Sequence, residues 1–316
     1  RKDIWISQQL AEDAGFLRTA LVNHNGKVVW PRIASVLMRW DASLSGWGAA
    51  IWTDPSQVKP VARAGGQWVY PQCEWHINDL EPEGFWLALQ AFEPFLAGVV
   101  CQPQGDSTTA NAAVSEFKGS MKSRHRTMIA RKAWAWAQEH HCTLLPVEYV
   151  NTLDNDWADE RSREVDQADW TLSPAVWELL EQRWGPHTWD RCASSLNTKC
   201  ENFTSRWYQP GCHWPDALHQ DWGYENNYCC PPETIALQAI RRVFESKAVA
   251  TFILPDYPAK WWPLVERLIV DQFELPPVEL SFVPGPSGHV EPWKPLGTNQ
   301  KRRYLAMRLD ASRMTN

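Results

Sequence analysis

The stretch Val36-Leu-Met-Arg-Trp-Asp-Ala-Ser-Leu-Ser-Gly-Trp-Gly-Ala-Ala-Ile-Trp52 decides the fold. Apolar residues lead up to Asp41, a Ser-Gly pair follows, and a second apolar run extends from Trp47 to Trp52. This pattern predicts two β-strands joined by a turn. A carboxylate that interrupts a buried strand is costly unless it meets a cation. The plain alternative is that Asp41 caps the turn at Ser43–Gly46.

The pattern beyond this stretch predicts a mixed α/β fold. Antiparallel strands come first, and strands separated by helices follow, which is typical of parallel crossovers. In the first half of the chain we expect strands near 67–70, 98–101 and 144–150, and helices over 80–96, 108–114, 128–140 and 157–163.

The length of 316 residues favours two domains, each with its own core. We place the boundary near 165–188, and expect a linker over 1–30, one domain over 31–175 and a second, smaller α/β domain over 176–316. Within this boundary region we expect a helix from Pro174 to Trp184, which Ser173 caps. Further helices are expected over 233–246 and 261–271, with strands over 248–254 and 304–309.

Charge and hydropathy restrict the partners. The net charge is −6, so any contact with nucleic acid must come from a local basic surface. There is no signal peptide and no apolar run long enough to span a bilayer. We therefore expect an intracellular protein, cytoplasmic or nuclear, without a membrane partner. The eight cysteines fit no zinc spacing, and reduced thiols are expected.

Three further acidic residues stand in distinct contexts. Glu81 falls at the start of its predicted helix, where an acid also complements the helix dipole. Asp106 follows a strand end, where it could instead cap the next helix. Asp159 lies among other acids, and its alternative is a solvated acidic loop. If the fold brought them to Asp41, the four carboxylates would hold two divalent cations, which catalyse phosphodiester hydrolysis.

The order and contexts of these acids resemble the RNase H domain of retrotransposon reverse transcriptases, most closely the DIRS-type elements that integrate with a tyrosine recombinase. The resemblance covers about 30–175. The matching pieces are Asp-Ala-Ser-x-x-Gly-Trp-Gly-Ala from Asp41, Gly-x-Trp from Gly66, His76-Ile77-Asn78 before Leu80-Glu81, Asp106 with Thr108-Thr109-Ala110, and Asn155-x-x-Ala158-Asp159-x-x-Ser162-Arg163.

This resemblance implies an RNase H-like mixed sheet with flanking helices. It also implies a Mg²⁺-dependent endonuclease that cuts the RNA strand of an RNA–DNA hybrid, with two Mg²⁺ ions on Asp41, Glu81, Asp106 and Asp159. The other domains of a retroelement polyprotein would be partners, and 1–30 would link to an upstream polymerase. The chain departs from the family at Tyr149, where a His is frequent, and at Ser107, where Asn is usual.

A basic stretch without acidic residues lies between the third and fourth acids. It is a candidate phosphate-binding surface, with an ordinary solvated helix face as the alternative. Its candidate contacts are Lys118, Lys122, Arg124, Arg126 and Arg131.

Residues 189–265 resemble a second family, the Dam-like adenine-N6 methyltransferases of phages, which DIRS-type elements also carry. The matching residues include Asp190, Asp221 and the loop at Cys230-Pro231-Pro232. The resemblance implies S-adenosylmethionine as a cofactor. Such enzymes use an Asp/Asn-Pro-Pro-aromatic loop on a flipped base, whereas this loop ends in Glu233 and begins with Cys, a poor acceptor. We therefore expect a degenerate module with weak or absent methylation, and structural capping by Asp190 and Asp221 as the alternative.

Two other functions stay open from the sequence. One is a domesticated, non-catalytic copy that serves as a binding or assembly subunit of a larger complex. The other is an active DNA adenine-N6 methyltransferase.

Overall fold

The structure, a computed structural model, describes residues 7–23, 32–54, 56–115, 123–164, 170–285 and 303–314. The chain forms two compact units, Arg1–Ile33 and Ala34–Asn316. Helix α1 (Gln8–Asn23) belongs to the first unit, within the segment predicted as a linker. None of the helices in the described ranges has both the length and the apolar character needed to cross a bilayer.

The first half of the larger unit is built on a mixed sheet, here called the N-terminal sheet. Its strand order is β3-β2-β1-β4-β5, with β6 also paired to β4. Its strands are β1 (Val36–Ala42), β2 (Gly46–Trp52), β3 (Ala62–Gln67), β4 (Val100–Gly105), β5 (Thr143–Leu144) and β6 (Glu148–Tyr149). The helices that accompany it are α2 (Ile77–Ala91), α3 (Glu93–Leu96), α4 (Thr108–Val114), α5 (Arg124–Glu139) and α6 (Asp156–Ser162).

The predicted hairpin forms the centre of this sheet. Strands β1, β2 and β3 are antiparallel, and β4 lies parallel to β1. Met38 and Trp40 are fully buried, and Trp40 packs against Phe85 of α2 with ring centroids 4.9 Å apart. The mixed sheet with its flanking helices confirms the fold class predicted from the sequence.

Several predicted bounds in this half are wrong. Helix α2 begins at Ile77 rather than at residue 80, because the ring of His76 caps it by accepting from the Asn78 amide at 3.1 Å. A helix that began at residue 80 would have Pro82 in its first turn, where proline is favourable. In the structure Pro82 lies inside the helix. The predicted strand over 144–150 is two short strands on either side of Pro146. The third strand ends at Gln67, where the prediction began it.

The second half is built on another sheet, here called the C-terminal sheet, with strand order β10-β9-β8-β11-β12-β15-β13. Strands β8 to β12 run parallel, and β15 lies antiparallel between β12 and β13. The strands are β8 (Trp189–Asp190), β9 (Asn202–Ser205), β10 (Trp214–Pro215), β11 (Asn226–Cys229), β12 (Val249–Pro255), β13 (Ile269–Glu274) and β15 (Tyr304–Asp310), and the separate hairpin is β7 (Trp170–Leu172) with β14 (Phe282–Pro284). The helices are α7 (Pro174–Trp184), α8 (Glu233–Glu245), α9 (Trp262–Leu268) and α10 (Val278–Ser281).

Most of the elements predicted for this half are confirmed. Ser173 caps α7, which ends at Trp184, and α8, β12 and β15 lie within one residue of their predicted bounds. The helix predicted over 261–271 is wrong in its second part. It ends at Leu268, and the chain continues as β13, in which half-buried and exposed residues alternate.

Candidate metal centre

Three of the four predicted acids converge at one edge of the N-terminal sheet. Asp41, Glu81 and Asp106 each offer one carboxylate oxygen, and these oxygens all lie within 4.8 Å of one another. The sheet explains why two of them meet. Strands β1 and β4 are parallel neighbours that pair Arg39 with Gln104. Two residues further along, the first segment reaches Asp41 and the second reaches Asp106. The carboxyl ends of parallel neighbours lie at the same edge.

Helix α2 brings Glu81 to this edge, and the neighbouring acids on the helix are engaged elsewhere. Asp79 accepts hydrogen bonds from Arg126 Nε at 2.9 Å and from Ser123 Oγ at 3.1 Å. Glu83 lies 3.4 Å from His125 Nε2. Among these three acids on α2, it is Glu81 whose carboxylate lies beside those of Asp41 and Asp106.

The local capping roles that could explain two of the acids are filled by serines. The Ser43 hydroxyl accepts from the amides of Ser45 and Gly46 at 3.1 and 3.2 Å, so the turn does not need Asp41. Ser107 caps α4 by accepting from the Ala110 amide at 3.3 Å. Asp106 instead accepts from Thr152 Oγ1 at 2.8 Å.

Asp159 lies outside the group of three but belongs to the same neighbourhood. It is on α6, where Arg163 Nη2 donates to its Oδ1 at 2.5 Å. The same helix is tied to β1, because Ser162 Oγ donates to Asp41 Oδ2 at 2.6 Å and Asn155 Nδ2 donates to the Trp40 carbonyl at 2.9 Å. Asp159 therefore lies on the helix predicted for this segment, and not in the solvated acidic loop that was its alternative.

A close approach of backbones makes this docking feasible. A Cβ added at Gly48 would lie 2.2 Å from the Ala158 carbonyl oxygen and 2.6 Å from the Ser162 nitrogen. Gly48 pairs with Asp41 across the hairpin. Only glycine at this position lets α6 lie against the strand pair.

The electrostatics of the centre are those of crowded, poorly solvated acids. Burial, together with the charges of Asp41 and Asp106, raises the pKa of Glu81 to about 9. Burial also raises the pKa of Asp41 to about 6, against the hydrogen bond from Ser162, and the charges of Asp106 and Asp159 act in the same direction as burial. Both shifts indicate an environment that disfavours uncompensated negative charge.

The donor set fits a hard divalent cation. All three converging ligands are carboxylate oxygens, the type that Mg²⁺ prefers. Glu81 Oε2 is buried and accepts no hydrogen bond from any described residue. A cation would satisfy this oxygen and relieve the repulsion among the three acids. The residues therefore fit the metal that the sequence implies.

The predicted basic surface is described only in part. Lys118 and Lys122 lie outside the described residues. Arg126 is half-buried and bonds Asp79, so it supports α2. The side chain of Arg124 is exposed at the start of α5, and Arg131 is half-buried on the same helix.

The residues of the second predicted site take mainly structural roles. Asp190 is buried at the end of β8 and accepts from the amides of Lys199 at 3.0 Å and Cys192 at 3.4 Å. Burial raises the pKa of Asp190 to about 7. Asp221 is exposed and accepts from the Gly223 amide at 3.0 Å, which lowers its pKa. These contacts favour the capping alternative for both.

The loop at Cys230–Pro232 has a different setting. It follows β11 next to β8, where the strand order of the sheet reverses. Crevices at such points bind ligands in open α/β sheets. The loop lines a cavity of about 820 Å³, and Trp47 and Trp68 from the first half of the chain line the same cavity.

Two supporting residues were not predicted from the sequence. Thr152 orients Asp106, and Asn111 Nδ2 donates to the Gly105 carbonyl at 2.6 Å, directly before Asp106. Thr152 lies 46 residues from its partner, so no local pattern could reveal it. Asn111 lies one helical turn beyond the Ser107 cap. This spacing was the one feature of the sequence that could have indicated its contact with Gly105.

No family model matches the sequence, and no curated protein matches it. Solved structures with similarity to the chain include an N-terminal RNase H domain from Mycobacterium tuberculosis, with 18% identity over 41% of this chain and 91% of that one, at a TM-score of 0.33. LC11-RNase H1 in complex with an RNA/DNA hybrid has 16% identity over 40% of this chain and 92% of that chain, at a TM-score of 0.34. The foamy viral protease-reverse transcriptase in complex with dsDNA has 11% identity over 48% of this chain and 30% of that chain, at 0.29.

Proposed function

We propose that this chain carries a ribonuclease H that hydrolyses the RNA strand of RNA–DNA hybrids with two Mg²⁺ ions. The observation that carries the proposal is the convergence of Asp41, Glu81 and Asp106, with a buried Glu81 oxygen that accepts no hydrogen bond from the described residues. Asp159 is proposed as the fourth ligand, because α6 holds it beside Asp41 and its charge acts on the Asp41 carboxyl.

We propose the following roles for the residues of the chain in hydrolysis. Two bound Mg²⁺ would activate the attacking water and stabilise the leaving 3′ oxygen. Ser162 and Thr152 hold Asp41 and Asp106 in fixed orientations, which lowers the reorganisation needed at the centre. Arg124 and Arg131, together with Lys118 and Lys122, are proposed to contact the phosphates of the hybrid.

A cleavage assay on the full chain tests the proposal. A labelled RNA–DNA hybrid should be cut in Mg²⁺, and Asp41→Asn should lower the rate by more than about 100-fold, because a direct ligand matters more than an outer partner. Asp54→Asn is the matched control, since Asp54 is exposed and its carboxylate accepts hydrogen bonds from Ser56. Soaking crystals with Mn²⁺ should give two peaks roughly 4 Å apart. Full activity of Asp41→Asn would refute the assignment.

We further propose that the chain belongs to a retroelement of the DIRS type, and that the C-terminal sheet is part of a degenerate methyltransferase-like module. The cavity beside Cys230–Pro232 supports a residual ligand site, and the absence of an amide acceptor and of an aromatic ring in the loop supports weak or absent methylation. Incubation with labelled S-adenosylmethionine and DNA should transfer no label. Transfer would establish the active methyltransferase instead.

A non-catalytic chain predicts different results in the metal-binding and cleavage experiments from those expected of a nuclease. A domesticated assembly subunit would bind no Mn²⁺ at the three acids and cut no hybrid.

A further inference from the structure

Helix α6 has two sides with different neighbours. One side carries Asp159 and Ser162, which lie beside Asp41. The other side carries the buried Arg161, and Glu164 follows directly after the helix. This second side contacts a segment from the other half of the chain, Arg206–Gln209, which comes immediately after β9.

The contact is a compact group of charges around one indole ring. The Arg161 guanidinium lies 4.5 Å from the centroid of the Trp207 ring, and Arg63 of β3 lies 5.8 Å from it. Trp207 Nε1 donates to Glu164 at 3.2 Å, and Arg206 Nη1 donates to the same carboxylate at 2.8 Å. Arg161 also pairs with Glu164. The ring and the carboxylate therefore fix Arg161 from both sides.

The same segment is attached to the N-terminal sheet by its backbone. The Tyr208 amide donates to the Arg63 carbonyl at 3.1 Å, and the Tyr208 carbonyl accepts from the Gly65 amide at 3.2 Å. Gln209 Nε2 donates to the Gly65 carbonyl at 3.1 Å. The Tyr208 ring lies 5.3 Å from that of Phe95, in the core beneath the sheet. The segment is thus held in register with β3, and Trp207 is a fixed support for α6.

We propose that Trp207 is a positioning residue for the nuclease centre: it holds α6, through Arg161 and Glu164, at the place where Asp159 completes the metal-binding set. The inference rests on the proposed function, and it makes the second half of the chain a structural requirement of that centre. Trp207 touches no ligand of the centre, so its effect passes through α6. The binding step that needs Asp159 is therefore more sensitive to Trp207 than the step at Asp41, Glu81 and Asp106, which α6 reaches through the Ser162 hydrogen bond to Asp41.

Metal binding by the full chain tests this directly, without any cleavage. Calorimetric titration with Mn²⁺ should show two binding steps, and Asp159→Asn should identify the step that depends on Asp159. Trp207→Ala should weaken that step by about 10-fold or more, as the loss of outer-shell support does at other metal sites. The other step should weaken less, because the Ser162 hydrogen bond to Asp41 is what links it to α6. Trp207→Phe keeps an aromatic ring but loses the N–H donor, and should give a smaller loss of Mn²⁺ affinity at that step. Trp214→Ala is the matched control, because Trp214 is an exposed indole of the same sheet.

A double-mutant cycle separates positioning from general destabilisation. In the Asp159→Asn background, Trp207→Ala should have a much smaller effect on Mn²⁺ binding, because the step on which it mainly acts is already lost. An additive effect, equal weakening of both steps, or an unchanged titration would overturn the inference. If circular dichroism shows that Trp207→Ala does not fold, the cycle is run with Trp207→Phe. A chain that shows the expected cycle but cuts no hybrid would refute the nuclease and leave the positioning role supported.

Discussion

At the scale of single residues, the centre combines two acids whose pKa values are raised by different amounts. Glu81 has a pKa of about 9, and Asp41 has one of about 6. Near neutral pH, without a cation, Glu81 therefore holds a proton and Asp41 is largely ionised. A metal ion must displace the Glu81 proton before this carboxylate can bind.

The first prediction follows from that proton. Mn²⁺ affinity should rise with pH from 6 to about 9, by about tenfold per unit for one displaced proton, and level off above the pKa of Glu81. Titrations in buffers of different ionisation enthalpy measure the proton released. Glu81→Gln should bind more weakly and lose most of the slope. An affinity independent of pH over this range would contradict the raised pKa.

The second prediction concerns Ser162. Its hydroxyl donates to Asp41 Oδ2 and lowers the pKa of that acid against the effect of burial. Ser162→Ala should raise the pKa of Asp41, so the acidic limb of the pH–rate profile should move to higher pH. Ser56→Ala is the control, since Ser56 donates to the exposed Asp54. The result that would count against this role is a lower rate with an unmoved profile.

At the scale of elements, the contact between α6 and the β1–β2 hairpin decides whether Asp159 is near the centre. The contact depends on the missing side chain at Gly48. Interactions with Ser162 and Asn155 then fix the helix along β1.

The third prediction tests this contact. Gly48→Ala should force α6 away from the strands, at a cost of about 1–3 kcal/mol in the free energy of unfolding, and should weaken the Asp159-dependent metal step. Gly15→Ala is the matched control, because a Cβ there meets nothing within 4 Å. Gly15 lies inside α1, so this change should be neutral or stabilising by about 0.5–1 kcal/mol. Chemical denaturation measures both. A Gly48→Ala chain as stable as the original would refute the close packing.

The elements also show what the sequence can and cannot predict. The β1–β2 hairpin was predictable because its apolar runs and its turn are local. The start of α2 was missed because a His ring is an unusual cap and Pro82 suggested a first turn. Strand β13 was missed because Ile269 and Val270 continue a helical run, and only pairing with β15 makes them a strand. Three of the four acids were brought together as expected, whereas their supports at Thr152 and Trp207 depend on contacts distant in sequence.

At the scale of the whole molecule, the buried Asp190 links stability to pH. Its pKa is raised to about 7 from an ordinary value of 3.8. Between these values the folded chain keeps a proton that the unfolded chain has lost, so the unfolded state binds fewer protons. Stability therefore falls as pH rises through this window and is constant above it.

The fourth prediction is the measurable form of that link. As pH rises from about 4 to about 7, Asp190 alone should lower the free energy of unfolding by about 1.4 kcal/mol per pH unit. Asp190→Asn should remove that slope. Asp221→Asn is the control, because the lowered pKa of Asp221 acts in the opposite direction. Urea titrations at a series of pH values measure the slope, and an identical pH dependence in Asp190→Asn and the original chain would contradict the assignment.

The pairing of Tyr208 with β3 has a consequence for truncated forms of this chain. At the outer edge of β3, the Arg63 carbonyl accepts a hydrogen bond from the Tyr208 amide, and the Gly65 amide donates one to the Tyr208 carbonyl. A fragment that stops after α6 would present these groups along an open strand, and an open strand recruits further copies of itself into aggregates. Expression of the first half alone would accordingly favour inclusion bodies, whereas in the 316-residue chain the backbone at Tyr208 covers the same strand edge.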